Sequence, residues 1–243
     1  MMRSMEITRI SLHRLLHVPH HFDAVVAIDV LRSFTTSAYA LACGAPIIYP
    51  VETVSAANAL KRMLPSAVTV GALPGGKPMP GFDLGNSPSA VQATPLYGHP
   101  VILTTAAGVR AIARFRNAPH LFAASLVCAG ATAQAVVACG ARRIALVTTG
   151  EWIDRDGDED IACADYLHTV FDGGQPDPGA LALRVRRSDF GRRFASGLDP
   201  SLPIADLELS AQVDRFAFAM PVTRHGEHLV IQAATPGATP SIS

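Results

Sequence analysis

Four clusters of polar residues interrupt an apolar chain, and their types point to one chemistry. Asp29, Arg32, Ser33, Thr35 and Thr36 follow one apolar run. Asp83 and Asn86 lie in GFDLGNSPSA, residues 81–90. Thr104, Thr105, Gly108 and Arg110 follow a second run, and Glu151, Asp154, Asp156, Asp158, Glu159 and Asp160 a third. Gathered carboxylates are costly unless a cation sits among them, and oxygen ligands in that number suit Mg²⁺. Arginine clamps phosphate or carboxylate with paired hydrogen bonds. Free N–H groups and hydroxyls at a helix start favour phosphate. Together these are the equipment of phosphoryl transfer.

Each residue also has a plainer reading. Asp29 before a helix is a cap, and Arg32 pairs with Asp29. Thr35 and Thr36 are ordinary helix residues, the acidic run is a solvated loop, and Asp83 and Asn86 make turns. The chain has no GxxxxGK[ST] and no GxGxxG after a strand, which excludes a P-loop NTPase and gives no support to a nicotinamide enzyme. HGEH at 225–228 lacks a third ligand and reads as a surface turn. His20 and His21 read as loop residues.

Ligands of open α/β sheets gather at the carboxyl ends of strands, so strands must precede these clusters. Phe22–Val30 is a buried-strand pattern. Residues 31–45 read as a helix stopped by Gly44, and PIIYPV as the next strand. That order is a βαβ unit and predicts a parallel sheet covered by helices. Further along, Ser55–Met63 reads as a helix, Val68–Gly71 and His99–Thr105 as strands, and Ala106–Arg116 as a helix. Arg142–Thr149 is a strand that runs into a helix from about Glu159, and Ser188–Ser196 is helical. Pro221–Ala233 reads as a hairpin or final edge strand. The Gly- and Pro-dense segment 71–88 is too long for a connector, and such loops tend to be functional. ACGA at 42–45 recurs at 138–141, and the same shift carries Asp29 to Ser125. This suggests two duplicated half-sheets, the second without the carboxylate. The expectation is a three-layer α/β/α fold with a mostly parallel or mixed sheet. One domain spans 1–233, with room for two sub-lobes, and 234–243 is a disordered tail.

Lys+Arg and Asp+Glu both total 20 in the 243 residues, which argues against a non-specific nucleic-acid binder. No apolar run approaches the ~20 residues that cross a bilayer, and MMRSMEITRI has no apolar h-region. Cys43, Cys128, Cys139 and Cys163 form no CxxC pair and read as buried free thiols. A cytoplasmic enzyme is expected.

AIDVLRSFTTSAYALACGA, GFDLGNSP, VILTTAAGVRA, DEDIACA and LELSAQVD occur in that order. Over about Val25 to Pro221 the chain resembles 2-phosphosulfolactate phosphatases of the ComB type, and GFDLGNSP is the most specific piece. The resemblance implies an α/β/α, Mg²⁺-dependent phosphatase that releases phosphate from 2-phosphosulfolactate. By position it implies catalytic roles for Asp29, Arg32, Asp83 and Asn86. It implies substrate binding by Ser33, Thr35, Thr36, Thr104, Thr105, Gly108 and Arg110, and Mg²⁺ ligation by Asp29, Asp83, Glu159 and Asp160. Two segments depart from the family pattern. TTTNGTRA reads TTAAGVRA here, so Ala106, Ala107 and Val109 replace polar residues. Gly-Glu-Arg-Gly-Gly reads Ala72-Leu73-Pro74-Gly75-Gly76. The expected function is hydrolysis of a small anionic phosphate monoester, 2-phosphosulfolactate or a related phosphorylated hydroxy acid. The competing reading is an anion-binding relative without turnover. Nucleic-acid and membrane partners are not expected, and a homodimer is a possible assembly.

Overall fold

The computed structural model describes residues 5–17 and 21–235. His20 and the tail beyond Thr235 lie outside the described residues. The strands are β1 (Glu6–Ser11), β2 (Ala24–Ile28), β3 (Ile48–Pro50), β4 (Val68–Gly71), β5 (Leu84–Gly85), β6 (Val101–Thr104), β7 (His120–Ala124), β8 (Arg143–Thr148), β9 (Met220–His225) and β10 (His228–Ile231). The helices are α1 (Ser33–Ala42), α2 (Val54–Met63), α3 (Pro88–Gln92), α4 (Gly108–Arg114), α5 (Ala129–Ala138), α6 (Asp158–Phe171), α7 (Pro178–Arg187), α8 (Asp189–Ala195) and α9 (Ile204–Ser210).

All ten strands form one sheet in the order β1-β8-β2-β7-β9-β10-β3-β6-β4-β5. β1, β8, β2 and β7 are mutually parallel, as are β3, β6, β4 and β5. The antiparallel hairpin β9–β10 joins the two sections. β2 is apolar at every position because both its faces are covered. Val25 and Ala27 join α1 and α4 in one core, while Ala24, Val26 and Ile28 join α5 to α9 in a second. α2 covers the outer face of β3 and β6 through Ala57, Leu60, Tyr49 and Ile102. The layers are therefore α/β/α, as expected.

The two sections run in opposite senses, yet the carboxyl ends of β2 and β6 meet, with Ser33 Oγ 3.0 Å from Thr105 Oγ1. A flat sheet would hold those ends apart. Twist of roughly 20–25° per strand, accumulated between β2 and β6, curls the sheet and brings them together.

The internal repeat extends to structure. β2 and β7, and likewise α1 and α5, are offset by the same interval as the two ACGA segments, and both helices end at the cysteine. The repeat extends to the next strand, since β3 shifted by the same interval falls within β8, but the two copies are placed differently: β8 pairs with β2, and β3 with β6 and β10. β2 and β7 are neighbours in one sheet, and α1 and α5 pack on opposite faces of it.

One segment differs from the sequence reading. Ser87 is the N-cap of α3, its Oγ accepting from Ala90 N at 3.2 Å, with Pro88 in the first turn. Pro221–Ala233 is the hairpin of the two readings the sequence offered, and it sits in the middle of the sheet. Its turn at Gly226 and Glu227 puts HGEH where a surface turn was expected. Of the four free cysteines, Cys128 and Cys163 are buried, and Cys43 and Cys139 are partly exposed.

Candidate active site

After β2 the chain turns at Asp29 into α1. Asp29 Oδ1 accepts from Ser33 N at 2.8 Å, and Oδ2 accepts from Ser33 Oγ at 2.6 Å. Asp29, three residues before the Arg32 N-cap, thus holds the first N–H of α1, and its carboxylate also lines a cleft of about 540 Å³. α4 begins against it. A Cβ at Gly108 would lie 2.8 Å from both Asp29 Oδ2 and Ser33 Cβ, so this approach requires glycine.

Two more acids lie beside Asp29. Asp160 Oδ1 accepts from Val30 N at 2.8 Å. Its Oδ2 accepts from Thr149 N at 2.8 Å, Gly150 N at 2.7 Å and Thr149 Oγ1 at 3.2 Å. Asp160 thereby braces the ends of β2 and β8 together. Glu159 is buried next to it, and its Oε2 has no hydrogen-bond partner. Burial raises all three pKa values. For Asp29 it outweighs the hydrogen bonds from Ser33, and Glu159 is pushed up to about 7. For Asp160 the neighbouring Asp29 and Glu159 add to burial. Arg155 is the cation that acts on both Asp29 and Glu159, and its guanidinium sits 4.8 Å over the Phe190 ring.

Asp29 and Glu159, both acted on by Arg155, with one Glu159 oxygen unpartnered, have donor chemistry that suits Mg²⁺. Among the described residues, no three Asp, Glu, His or Cys side chains are grouped so that they could hold a metal ion together.

Several expected site residues have other employment. Arg32 lines the cleft but is 3% exposed. Its Nη1 donates to Asp206 Oδ2 at 2.6 Å and Ser201 O at 3.1 Å, and its Nη2 to Gly76 O at 2.8 Å. Its partner is Asp206, not Asp29. With both terminal nitrogens committed, it ties the 71–88 segment and the α9 region to the cleft and is not a free ligand clamp. Thr35 Oγ1 donates to Val30 O at 2.7 Å and lies 2.6 Å from Ser125 Oγ, so it joins the ends of β2 and β7 and is no substrate contact.

Asp83 is the largest correction. The β4–β5 register pairs Leu84 with Val70, which sets Asp83 beside Thr69. Its Oδ2 accepts from Thr69 N and Oγ1, both at 2.8 Å, with Lys61 Nζ at 3.5 Å. It serves the sheet edge and is absent from the cleft lining.

Asn86, Thr105 and Arg110 do line the cleft. Asn86 Oδ1, Thr36 Oγ1 and Thr104 Oγ1 are buried without a partner. Most of the acidic run is spent on neighbours. Glu151 pairs with Arg14, Asp154 with Arg193 at 2.7 Å, and Asp158 with Arg184. Asp156 Oδ1 accepts from Asp158 N and Asp189 N, both at 3.1 Å. Only Glu159 and Asp160 turn inward.

The profile of the 2-phosphosulpholactate phosphatase family matches residues 12–189. The chain belongs to this family. It is 35% identical over 207 residues to a probable 2-phosphosulfolactate phosphatase of Deinococcus radiodurans, covering 82% of this chain and 85% of that one. A Bacillus subtilis protein of the same description is 32% identical over 206 residues, 84% and 89% of the two chains. One from Thermus thermophilus is 32% identical over 226 residues, 87% and 93%.

The departures from the phosphosulfolactate phosphatase pattern now have places. Ala106, Ala107, Leu73 and Pro74 line the cleft, whereas Val109 packs in the core and faces no ligand. Sequence reasoning missed Arg155, Thr149 and Asp206. Arg155 was signalled as the lone cation in an acidic run. Asp206 stands one residue before LELSAQVD. Thr149 ends the RRIALVTT strand pattern, where a cleft residue belongs.

Proposed function

We propose that this chain is an Mg²⁺-dependent phosphatase that hydrolyses a small phosphate monoester to its alcohol and inorganic phosphate. The observation that carries the reading is the buried carboxylate of Asp29 lining a cleft that Arg110 and Arg155 also line, with the buried acids Glu159 and Asp160 behind it. Family membership and the names of the relatives support phosphatase chemistry. Those names make 2-phosphosulfolactate and related phosphorylated hydroxy acids the first esters to test.

Asp29 is the catalytic group. Ser33 fixes its carboxylate, and the raised pKa makes it a stronger base and nucleophile than a solvated carboxylate. Its oxygen either receives the proton of a water attacking phosphorus or attacks phosphorus itself. In both routes the P–O bond to the alcohol breaks, and the departing oxygen takes a proton from solvent; in the second, water then hydrolyses the aspartyl phosphate, which releases inorganic phosphate and restores the Asp29 carboxylate. Arg110 holds a phosphoryl oxygen, and Asp160 keeps the ends of β2 and β8 in place. Mg²⁺ would be held by Asp29 and the unpartnered Glu159 Oε2, with Asp160 as their brace. Bound there, it would offset the charge of the phosphoryl oxygens.

The test is phosphate release from a panel of monoesters with Mg²⁺ and with EDTA. Release that EDTA stops, and that falls at least about 10³-fold in Asp29→Asn, is expected. Label from the ester trapped on the chain at low pH marks direct attack by Asp29. Ligand-induced thermal stabilisation with no release from any ester favours the competing reading, an anion binder.

A further inference from the structure

The two loops that depart from the family pattern, and a third loop, supply apolar residues to the lining of the cleft. Leu73 and Pro74 follow β4, Ala106 and Ala107 follow β6, and Trp152 and Ile153 follow β8. Leu73 is 41% exposed, Trp152 44% and Ile153 87%. A single exposed apolar side chain needs no explanation, but apolar groups that three loops bring to the lining of one cleft do. Such a lining beside a few placed polar groups is the usual make-up of a small-molecule site.

The supply of cations points the same way. Four guanidinium groups line the cleft. Arg32 is held by Asp206 and two carbonyls, and Arg193 by Asp154. Arg155 answers Asp29 and Glu159. Among the described residues, Arg110 alone of the four has no acidic partner. A ligand with a phosphate and two further anionic groups would bury charge without a counter-charge, which is costly.

We propose that the ester this cleft takes has an apolar organic part, an aryl or branched alkyl group. This part packs against Leu73, Ala107 and Trp152 while the phosphate lies at Asp29. The inference rests on the phosphatase reading of the same cleft and narrows its substrate. 2-Phosphosulfolactate, with phosphate, sulfonate and carboxylate, is then a poor ligand.

Trp152 is the chain's one tryptophan, so its emission reports directly on this lining. The full chain with Mg²⁺ is titrated with benzylphosphonate and with 3-phosphonopropionate. In parallel, phosphate release is measured from phenyl phosphate and phosphoglycolate. Benzylphosphonate is expected to bind at least about tenfold more tightly and to shift Trp152 emission. In Trp152→Ala, followed by calorimetry, its affinity should fall about tenfold while that for 3-phosphonopropionate changes less than about twofold. Equal or tighter binding of 3-phosphonopropionate overturns the inference. So does equal weakening of both ligands in Trp152→Ala, or binding of neither at millimolar concentration. If benzylphosphonate is preferred but neither ester is hydrolysed, the ligand class stands and the phosphatase reading falls. If phosphoglycolate is hydrolysed faster than phenyl phosphate, the phosphatase reading stands and this inference falls.

Discussion

Glu159 is a carboxylic acid that the fold keeps from water, and that fixes how stability responds to pH. Its pKa rises from 4.5 unfolded to about 7 folded. The folded state therefore binds the extra proton, and the neutral form is the one the fold favours. Stability from this group is fully present below pH 4.5 and is lost as pH rises through 7. Glu159→Gln, which is neutral throughout, should be more stable than wild type by a few kcal/mol at pH 8 without metal, and little different at pH 4.5. Urea unfolding at both pH values checks this. A variant no more stable at pH 8 would mean that the carboxylate already has a counter-charge in the apo protein. Asp206 is the opposite case. It is fully buried and accepts from Arg32, Ser87 Oγ, Ser89 N and Ser89 Oγ. Asp206→Ala leaves the Arg32 charge buried and unpaired, and should cost about 3–5 kcal/mol in the same experiment. A loss under about 1 kcal/mol would show that Arg32 can reach water.

Among elements, the start of α4 is the most tightly constrained. Gly108→Ala puts a methyl against Asp29 Oδ2, Ser33 Cβ and the Phe34 ring, and none of these is the loose end of a flexible side chain. α4 must withdraw or Asp29 must turn. If Asp29 is catalytic, kcat/KM should fall at least about tenfold while far-UV circular dichroism stays native. Unchanged kinetics would show that the orientation of Asp29 does not matter. The element scale also shows what the sequence could carry. Asp29, Ser33, Thr105 and Arg110 line the cleft and were legible as cleft residues because each follows a strand end that hydrophobic pattern locates. Asp83 was misread because its environment depends on strand pairing. Nothing local says that β5 joins β4 in the register that gives Asp83 to Thr69. Arg32 and Thr35 misled for a related reason. Residue type and position put them beside the site, but their partners, Asp206 and Ser125, come from distant segments.

At the scale of the molecule, the C-terminal hairpin decides whether there is a site at all. Its own pattern announces a hairpin or an edge strand but not where it goes, so the hairpin was legible and its central place was not. In the described residues the two parallel sections are connected within the sheet only through β9 and β10, and β10 meets β3 at the single pair Ile231–Ile48. The cleft needs both sections. Asp29, Thr149 and Arg155 come from one, and Asn86, Thr105 and Arg110 from the other. Ile231 is fully buried in the core shared by the two, so Ile231→Ala should cost about 2–5 kcal/mol. The informative quantity is the shape of the transition. If the curled sheet folds as one unit, urea unfolding stays a single step with a lower midpoint, and exchange protection in β2 and β6 is lost together. A phosphate ester at about 100 times its Kd should restore roughly 2.7 kcal/mol by mass action, because it binds only when both sections are docked. Two separate transitions, with β2 still protected after β6 has opened, would show that the sections fold independently. The cleft would then be a contact between two lobes, and restoration by the ester would be confined to the step that joins them.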